Sequence, residues 1–390
     1  MKKKEKEMFL ELCRFKEADK TKLAALIALE AATPEVLGHL HYNRMGAIAY
    51  GVLRENKLLS KLNREFQTSL RNIYEQNKIK NKSYFLCLKM LNEILRKCRG
   101  KYAMLKGAYL CGFYPEGFRT SNDIDILVHK RNVEEIGECL TMAGFHQGYI
   151  QNGEFLPASR QDIISSKMLR GETVPYILEV NMPFMRYLEV DLNFSMDHKN
   201  NENDNVWEFV STAGEIQMPG HLQSEDYSII TLEKYNFVLH LCCHLYKEAS
   251  TYPWILMKRD MTLYKMCDLY LLLREYKDND FESLIQRAKK FGMSGECYYA
   301  LYITRELFAM ESVITSRVMA DLARNIPKEG SFVAYAMTSK GESYQYKMHG
   351  ILNKVISPAN KKTYWYENSN IIERFFSKDR IKLLQEEPNN

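Results

Sequence analysis

Apolar residues at both ends of the chain recur with helical spacing. In the stretch SYFLCLKMLNEILRKC, the residues Phe85, Leu88, Leu91 and Leu95 fall on one stripe of a helix. The same spacing returns from about Ser224 onward, in LEKYNFVLHLCCHLYKEA, MTLYKMCDLYLLLREY and FESLIQRAKKFG. The pattern predicts a helical region before residue 98 and a helical bundle in the C-terminal part of the chain.

Between these regions the pattern changes to short apolar runs separated by turn formers. The run DIDILV has β-branched residues at alternate positions, which is typical of a strand. The segment from Asn132 to Ala143 has an Asn cap, acidic residues in its first turn and Gly144 as a stop, so it predicts a helix. The segment YILEVNMPFMRYLEVDLNF contains two apolar runs around a turn and predicts a hairpin or two neighbouring strands. We therefore expect a mixed sheet covered by helices.

Together these elements predict an α+β fold. A small mixed β-sheet core with flanking helices lies between an N-terminal helical region and a C-terminal helical bundle. The chain has 390 residues, enough for two or three domains. We place the predicted domains at residues 1–80, 81–222 and 223–390.

Composition and charge narrow the possible partners. The 54 Lys+Arg residues against 49 Asp+Glu give a formal net charge of +5, too mild to indicate a nucleic-acid-binding protein by charge alone. The nine cysteines contain no CxxC pair, so we expect reduced thiols and a cytoplasmic protein. No stretch of about 20 residues is free of charge, so we expect no transmembrane anchor.

The first candidate site consists of two carboxylates on the predicted strand DIDILV. Side chains alternate faces along a strand, so Asp123 and Asp125 share one face while Ile124 and Ile126 point to the core. Like charges held this close repel each other unless a cation neutralises them, and carboxylate oxygens suit Mg²⁺ or Mn²⁺. The alternative interpretation is an edge strand with a solvated polar face.

Other residues extend this candidate site. Lys106 and Gly107 lie upstream, where a lysine supplies charge for a phosphate and a glycine permits close backbone approach. Downstream, Glu189 and Asp191 share one face of another predicted strand. Three acids and two metal ions neutralise the attacking and leaving oxygens of a displacement at phosphorus. The residues therefore indicate phosphoryl or nucleotidyl transfer.

In this order the motifs resemble a known family. The shared features are Leu105-Lys106-Gly107, Tyr114, Arg119, the DIDILV run, Ala143-Gly144-Phe145 and Val190-Asp191-Leu192. They resemble the uncharacterised nucleotidyltransferase family of the DNA polymerase beta superfamily, best over residues 100 to 195. The usual Gly-Ser of that superfamily is replaced here by Gly107-Ala108.

The resemblance implies roles for individual residues. Asp123 and Asp125 would hold the metals. Asp191 would complete the site as a metal ligand or as the base, with Glu189 as the other candidate base. Lys106, Gly107 and Arg119 would contact the triphosphate, although Arg119 is equally suited to ordering its own loop through a salt bridge.

The helical C-terminal part contributes further candidates. Lys247 and Asp268 are expected as additional nucleotide contacts, and the resemblance places an acid like Asp268 on a helix of the second domain. His240 and His244 are spaced as a possible metal pair, but we interpret them as part of a buried helix face because no third ligand is evident.

The expected activity is an Mg²⁺-dependent transfer of a nucleoside monophosphate from a nucleoside triphosphate (NTP), with release of pyrophosphate. The acceptor, a hydroxyl or a phosphate, belongs to a small molecule, a protein or a tRNA, and the sequence does not decide among them. The alternative is a catalytically inactive member of the family that acts as a binding or regulatory module.

Overall fold

The computed structural model describes residues 1–169, 171–196, 205–218, 228–250, 254 and 262–326, and three short strands further on. The chain divides into two compact units. One is Asn72–Phe237, and the other combines Met1–Arg71 with Val238–Asn390. The domain boundaries expected at residues 80 and 222 stay predictions.

The unit Asn72–Phe237 carries a sheet and its covering helices. Its helices, of which the first begins and the last ends in the other unit, are α5 (Arg64–Leu95), α6 (Gly107–Phe113), α7 (Val133–Met142), α8 (Arg160–Leu169), α9 (Asn205–Ser211) and α10 (Lys234–Ser250). Its strands are β1 (Tyr102–Met104), β2 (Asp123–Val128), β3 (His146–Gln151), β4 (Glu154–Pro157), β5 (Tyr176–Met182), β6 (Met185–Asn193), β7 (Gly214–Gln217) and β8 (Ser228–Thr231).

These eight strands form one mixed sheet in the order β4-β3-β5-β6-β2-β1-β8-β7. Strand β2 runs parallel to β6 and antiparallel to β1. Strand β1 in turn runs parallel to β8. The predicted mixed sheet and its α+β class are confirmed, whereas the small size expected for the sheet is not.

One face of the central strands builds the hydrophobic core of this unit. Ile124, Ile126 and Val190 are completely buried there. The predicted stripe on α5, with Leu88 and Leu91, packs into the same core. Burying each such side chain contributes about 1.5–3 kcal/mol, so the alternation along β2 and β6 is fixed strongly. The polar residues between these apolar ones are thereby held on the opposite face.

The structure agrees with most local interpretations of the middle region. DIDILV forms β2, the two LEV-containing runs pair as the antiparallel hairpin β5–β6, and α7 ends before Gly144. Asn132 occupies the cap position of α7, but its side chain makes no capping hydrogen bond. The helical spacing expected from Ser224 onward is wrong at Ser228–Thr231, where β8 pairs with β1. The β-branched residues of that short segment are compatible with a buried strand. Its partner β1 is distant in the sequence, so no local pattern predicts that the two strands pair.

The other unit consists mainly of helices. They are α1 (Lys3–Cys13), α2 (Lys20–Ala28), α3 (Pro34–Tyr42), α4 (Gly46–Glu55), α11 (Leu263–Leu273), α12 (Asp278–Lys290), α13 (Ser294–Phe308) and α14 (Ser316–Arg324). Three strands follow, β9 (Tyr335–Met337), β10 (Ser343–Tyr346) and β11 (Thr363–Tyr366), and form a separate sheet that the sequence did not predict. The rest of the chain after residue 326 lies outside the described residues, so the expected C-terminal bundle stays a prediction.

Across the described part of the chain, none of the helices combines the length and apolar character that a bilayer crossing requires.

Candidate functional site

The candidate site lies where strands β2 and β6 run side by side. Their parallel register pairs Asp123 with Glu189 and Asp125 with Asp191. Residues in register on neighbouring strands point to the same face, opposite the core face that holds Ile124 and its neighbours. Four carboxylates therefore share one patch of the sheet. The structure brings together the three acids expected as metal ligands and Glu189, the other candidate base.

The environment of Asp191 and Glu189 disfavours their charged forms. Burial raises the pKa of Asp191 well above its ordinary value, and the nearby carboxylates of Asp125 and Asp123 raise it further. Burial, together with the same two aspartates, raises the pKa of Glu189 to about 7. Asp125 itself is only 6% exposed. A cation placed among these groups would relieve both the repulsion and the cost of burial.

Lys106 already supplies one positive charge to this patch. Its Nζ lies 2.8 Å from Oδ1 of Asp125. Burial lowers the pKa of Lys106, but the carboxylates of Asp125 and Asp123 outweigh that effect and raise it above its ordinary value. The ammonium group is therefore charged and held at the base of the site.

The backbone of Lys106 is strained. Its φ of 41° and ψ of −111° lie outside the regions that a side chain with a Cβ normally adopts. The backbone N–H of Leu105 donates to the carbonyl oxygen of Asp125 at 2.9 Å, and the carbonyl of Lys106 accepts from Leu110 at 2.8 Å in the first turn of α6. Strain of this kind costs about 1–3 kcal/mol and persists where surrounding contacts enforce it, often at functional sites.

Gly107 packs so closely against the loop before β2 that a side chain at this position would have no room. A Cβ at this position would lie 2.6 Å from both Cβ and Oγ of Ser121. The Ser121 hydroxyl donates to Oδ1 of Asp123 at 2.8 Å. The glycine thus lets a hydroxyl reach the first carboxylate. In this chain that hydroxyl comes from Ser121, whereas Ala108, the position after the glycine, has none.

Two further residues of the site escaped the sequence interpretation. The buried Tyr84 of α5 donates its hydroxyl to the carbonyl oxygen of Asp123 at 3.2 Å. Asn193 donates Nδ2 to Oδ1 of Asp125 at 3.3 Å. Asn193 continues the alternation of Glu189 and Asp191, so β6 carried a signal for it. Tyr84 carried none, because its role depends on tertiary packing.

The structure says less about the other three predicted nucleotide contacts, Arg119, Lys247 and Asp268. Arg119 lies in the loop before β2, is 8% exposed, and its guanidinium donates to the carbonyl oxygen of Thr120. Lys247 and Asp268 belong to the other compact unit, on α10 and α11. Contacts of these three residues with a nucleotide stay predictions.

The predicted histidine pair lies on α10. The rings of His240 and His244 stack with centroids 6.2 Å apart, and Nε2 of His244 lies 3.4 Å from Oε1 of Glu248. His240 is 5% exposed, as expected for a residue on a buried helix face.

The donor chemistry of the β2–β6 patch suits a hard divalent cation. Among the residues that the structure describes, no three acidic, imidazole or thiol groups form a ready-made metal cage. Mg²⁺ does not need one, because it is usually held by one or two carboxylates and completes its shell with water and substrate phosphates. Asp123 and Asp125 with Asp191 beside them fit that description.

Comparisons with known sequences connect this geometry to a family. Among curated proteins, none matches the chain at a significant level. The sequence profile described as uncharacterised nucleotidyltransferase matches residues 30–309, which include every strand of the large sheet and the whole acidic patch. The match extends over more than half of the chain and contains the motifs on which the resemblance depended. The chain therefore belongs to the uncharacterised nucleotidyltransferase family.

Proposed function

We propose that the protein is an Mg²⁺-dependent nucleotidyltransferase that moves a nucleoside monophosphate from an NTP to a hydroxyl or phosphate acceptor. Membership of the family supports the use of an NTP. The observation that carries the proposal is the parallel register of Asp125 with Asp191 and of Asp123 with Glu189. Acids held this close together repel one another, and a divalent cation that binds them could also neutralise the phosphates of a substrate, which supports the proposal.

Different residues of the site would have different roles in the transfer. Asp123, Asp125 and Asp191 would hold divalent metal, Mg²⁺ or Mn²⁺, which neutralises phosphate charge when bound. A new bond forms between the acceptor oxygen and the α-phosphorus, and the bond from that phosphorus to the pyrophosphate leaving group breaks. The acceptor proton passes to Glu189 or Asp191. A pKa of about 7 makes Glu189 a well-matched general base at neutral pH.

The phosphate chain would lie against Lys106 and the first turn of α6. Lys106 is charged and near Asp125, so its ammonium can contact both the carboxylate and a phosphate oxygen. Gly107 has no side chain to obstruct a phosphate, and Arg119 would supply a guanidinium from the loop before β2. Lys247 and Asp268 remain proposed nucleotide contacts.

A release assay tests this function. Purified protein is incubated with each of the four NTPs, Mg²⁺ and pools of small-molecule, protein or tRNA acceptors, and pyrophosphate is measured. We expect release that depends on metal and acceptor and that is abolished in Asp125→Asn. Glu179→Gln, which alters an exposed acid of the same sheet, should retain it. Turnover of Asp125→Asn equal to that of the unsubstituted protein would contradict the assignment of Asp125 to the active site.

The alternative is an inactive nucleotidyltransferase-like binding or regulatory module. The observation that favours it is the ion pair through which Lys106 already neutralises Asp125. Titration calorimetry with the four NTPs, with and without Mg²⁺, separates the two functions. An enzyme should give metal-dependent heat, and a silent scaffold should give none.

We also place this activity in the cytoplasm. All nine cysteines lie in the described part of the chain, and none of them forms a disulfide there. Reduced thiols of this number are typical of a reducing compartment.

A further inference from the structure

A cluster of cations lies at the end of the central strands opposite the carboxylates. Strands β1 and β2 are antiparallel, with Tyr102 in register with Val128. The residues just before β1 and just after β2 therefore meet at one end of the sheet. The exposed cations there, which we call the basic end, are Lys97, Arg99, Lys101, Lys130 and Arg131.

Hydrogen bonds hold the two segments of the basic end together. The backbone N–H groups of Arg99 and Gly100 donate to Oε1 of Glu135 at 2.6 and 3.2 Å. The side chain of Asn132 donates to the carbonyl oxygen of Lys101 at 3.4 Å. These bonds fix the backbone from which the cations project, so the charges are presented from a defined surface.

An aromatic ring is exposed beside these cations. Trp207 on α9 is 46% exposed, a high value for so large an apolar side chain. Nζ of Lys101 lies 5.6 Å from the centre of its ring system, and the ring of His129 contacts it edge to face at 5.4 Å. The indole is therefore held in place by its neighbours while much of its surface faces solvent.

Two acids near the basic end already accept hydrogen bonds. Glu135 accepts the two backbone N–H groups described above. Glu215 accepts a hydrogen bond from the guanidinium of Arg96. The five cations of the basic end outnumber the four acids of the neighbouring segments, which are Glu134, Glu135, Glu208 and Glu215.

We propose that the basic end binds single-stranded nucleic acid. The cations would contact successive phosphates, and one base would stack on the exposed ring of Trp207. Positive charge next to an exposed aromatic ring is the combination by which proteins hold single strands, because every base has a face that can stack. An acidic peptide would use the charges but gain little from the indole, whereas an anionic membrane could also accommodate the indole at its interface and is therefore tested directly by vesicle competition. The basic end is separated from Asp123 by the length of β2, roughly 16 Å at 3.3 Å per residue.

This binding surface does not depend on the proposed transfer reaction, so its test omits NTP and metal. Fluorescence anisotropy measures binding of a labelled oligouridylate of about 16 nucleotides, the upper end of the site size of one single-strand module. The measurement is repeated between about 50 and 200 mM salt. We expect saturable binding whose affinity falls as salt rises.

Variants separate the charges from the ring. Lys101→Gln combined with Lys130→Gln and Arg131→Gln should weaken binding at least about tenfold and reduce the salt slope by about 0.7 for each phosphate that is no longer neutralised. Trp207→Ala should weaken binding about tenfold, and Trp207→Phe should restore most of it. Lys167→Gln, an exposed lysine on α8, is the matched control and should bind as the parent does.

Competition with vesicles identifies the partner class. Phosphatidylcholine vesicles with and without phosphatidylserine are added to the oligonucleotide complex, and thermal unfolding shows that each variant is folded. Weak competition together with the loss in Trp207→Ala supports the proposal. Absence of binding, equal binding by the charge variant and the parent, or strong competition by phosphatidylserine with no effect of Trp207→Ala would overturn it.

Discussion

The tripeptide Leu-Glu-Val occurs twice on neighbouring strands, with opposite consequences. In β5 it places Glu179 at the surface, where its Oε1 lies 3.0 Å from Nε of Arg186. In β6 it places Glu189 beside Asp123 of the parallel strand β2. The local sequence is the same, but the neighbouring strands differ, and β5 also becomes irregular between Glu179 and Met182. The partner strand therefore determines whether a strand carboxylate becomes part of an acidic site or of a surface ion pair.

The two environments shift acid ionisation in opposite directions. At the surface, Arg186 also bonds to Glu154, and these contacts hold the pKa of the Glu154 carboxyl below its ordinary value. In the β2–β6 patch, burial and neighbouring aspartates raise the pKa of Glu189 to about 7. Substitutions in the two regions should therefore have different effects on activity and stability.

The largest effect is expected for Asp191→Asn. This change makes β6 read Leu-Glu-Val-Asn, as β5 already does. It removes one proposed metal ligand, so pyrophosphate release should fall about a hundredfold to a thousandfold. Thermal unfolding should occur at the same or a higher temperature, because one of several repelling carboxylates is removed. Full activity in Asp191→Asn would show that the pairing of Asp191 with Asp125 is not needed for catalysis.

The next largest effect concerns Lys106 and separates its charge from its backbone. Lys106→Met leaves Asp125 buried without its cation and should lower the free energy of unfolding by about 3 kcal/mol. Lys106→Gly loses the same charge but adopts the observed φ without a Cβ penalty, so it should be about 1 kcal/mol more stable than Lys106→Met. Urea unfolding of the two variants measures the difference. Equal stabilities would argue against strain at this residue.

A smaller effect is expected in the pH dependence of stability. Because the pKa of Glu189 is raised in the folded state, that state binds more protons than the unfolded chain between about pH 4.5 and 7. The stabilising contribution is complete below that window and is lost as pH rises through it, and a shift of this size corresponds to about 3 kcal/mol.

Unfolding in the presence of a metal chelator, followed from pH 5 to 8, measures this slope. Glu189→Gln should reduce it, with the remaining slope due to Asp191, whose pKa is also raised, whereas Glu179→Gln, the same substitution in the other Leu-Glu-Val, should leave it unchanged. A parental slope that persists in Glu189→Gln would locate the titration elsewhere.

The smallest effect is expected for Arg186→Gln. The ion pairs of Arg186 are exposed on the surface and screened by solvent. Its loss raises the lowered pKa of Glu154 toward the ordinary value, so the small contribution that this acid makes above its unfolded pKa disappears. The unfolding temperature should be nearly that of the parent at neutral pH, and pyrophosphate release should be unaffected. A large loss of either would show that this surface cluster supports the site.

Local patterns predicted the strands that carry the site but not which strands are adjacent in the sheet. Alternation alone placed Asp123 with Asp125, and Glu189 with Asp191, on single faces of two strands. Which strands are adjacent depends on how the whole sheet is ordered, and no short pattern in β2 or β6 specifies their register. Alternation offered Glu189 and Asp191 as the third acid, and the resemblance to the family assigned the metal-binding role to Asp191.

Residues that act through tertiary packing were beyond prediction. Ser121 reaches Asp123 only because Gly107 leaves room for it, and Tyr84 reaches the same residue from a distant helix. The strand at Ser228–Thr231 was missed for a related reason, since it is short and pairs with β1 from far along the chain. Long-range pairing has no signature in a local window.

The hydrogen bond from Asn193 to Asp125 joins residues 68 positions apart, and the parallel pairing of β2 with β6 spans a similar distance along the chain. Contacts of such long range close slowly during folding, because the entropy of the intervening loop must be overcome first. During synthesis from the N-terminus, β2 is complete long before β6 leaves the ribosome. A nascent chain thus has Asp123 and Asp125 without their partner strand, and it acquires the proposed chemistry only when β6 docks.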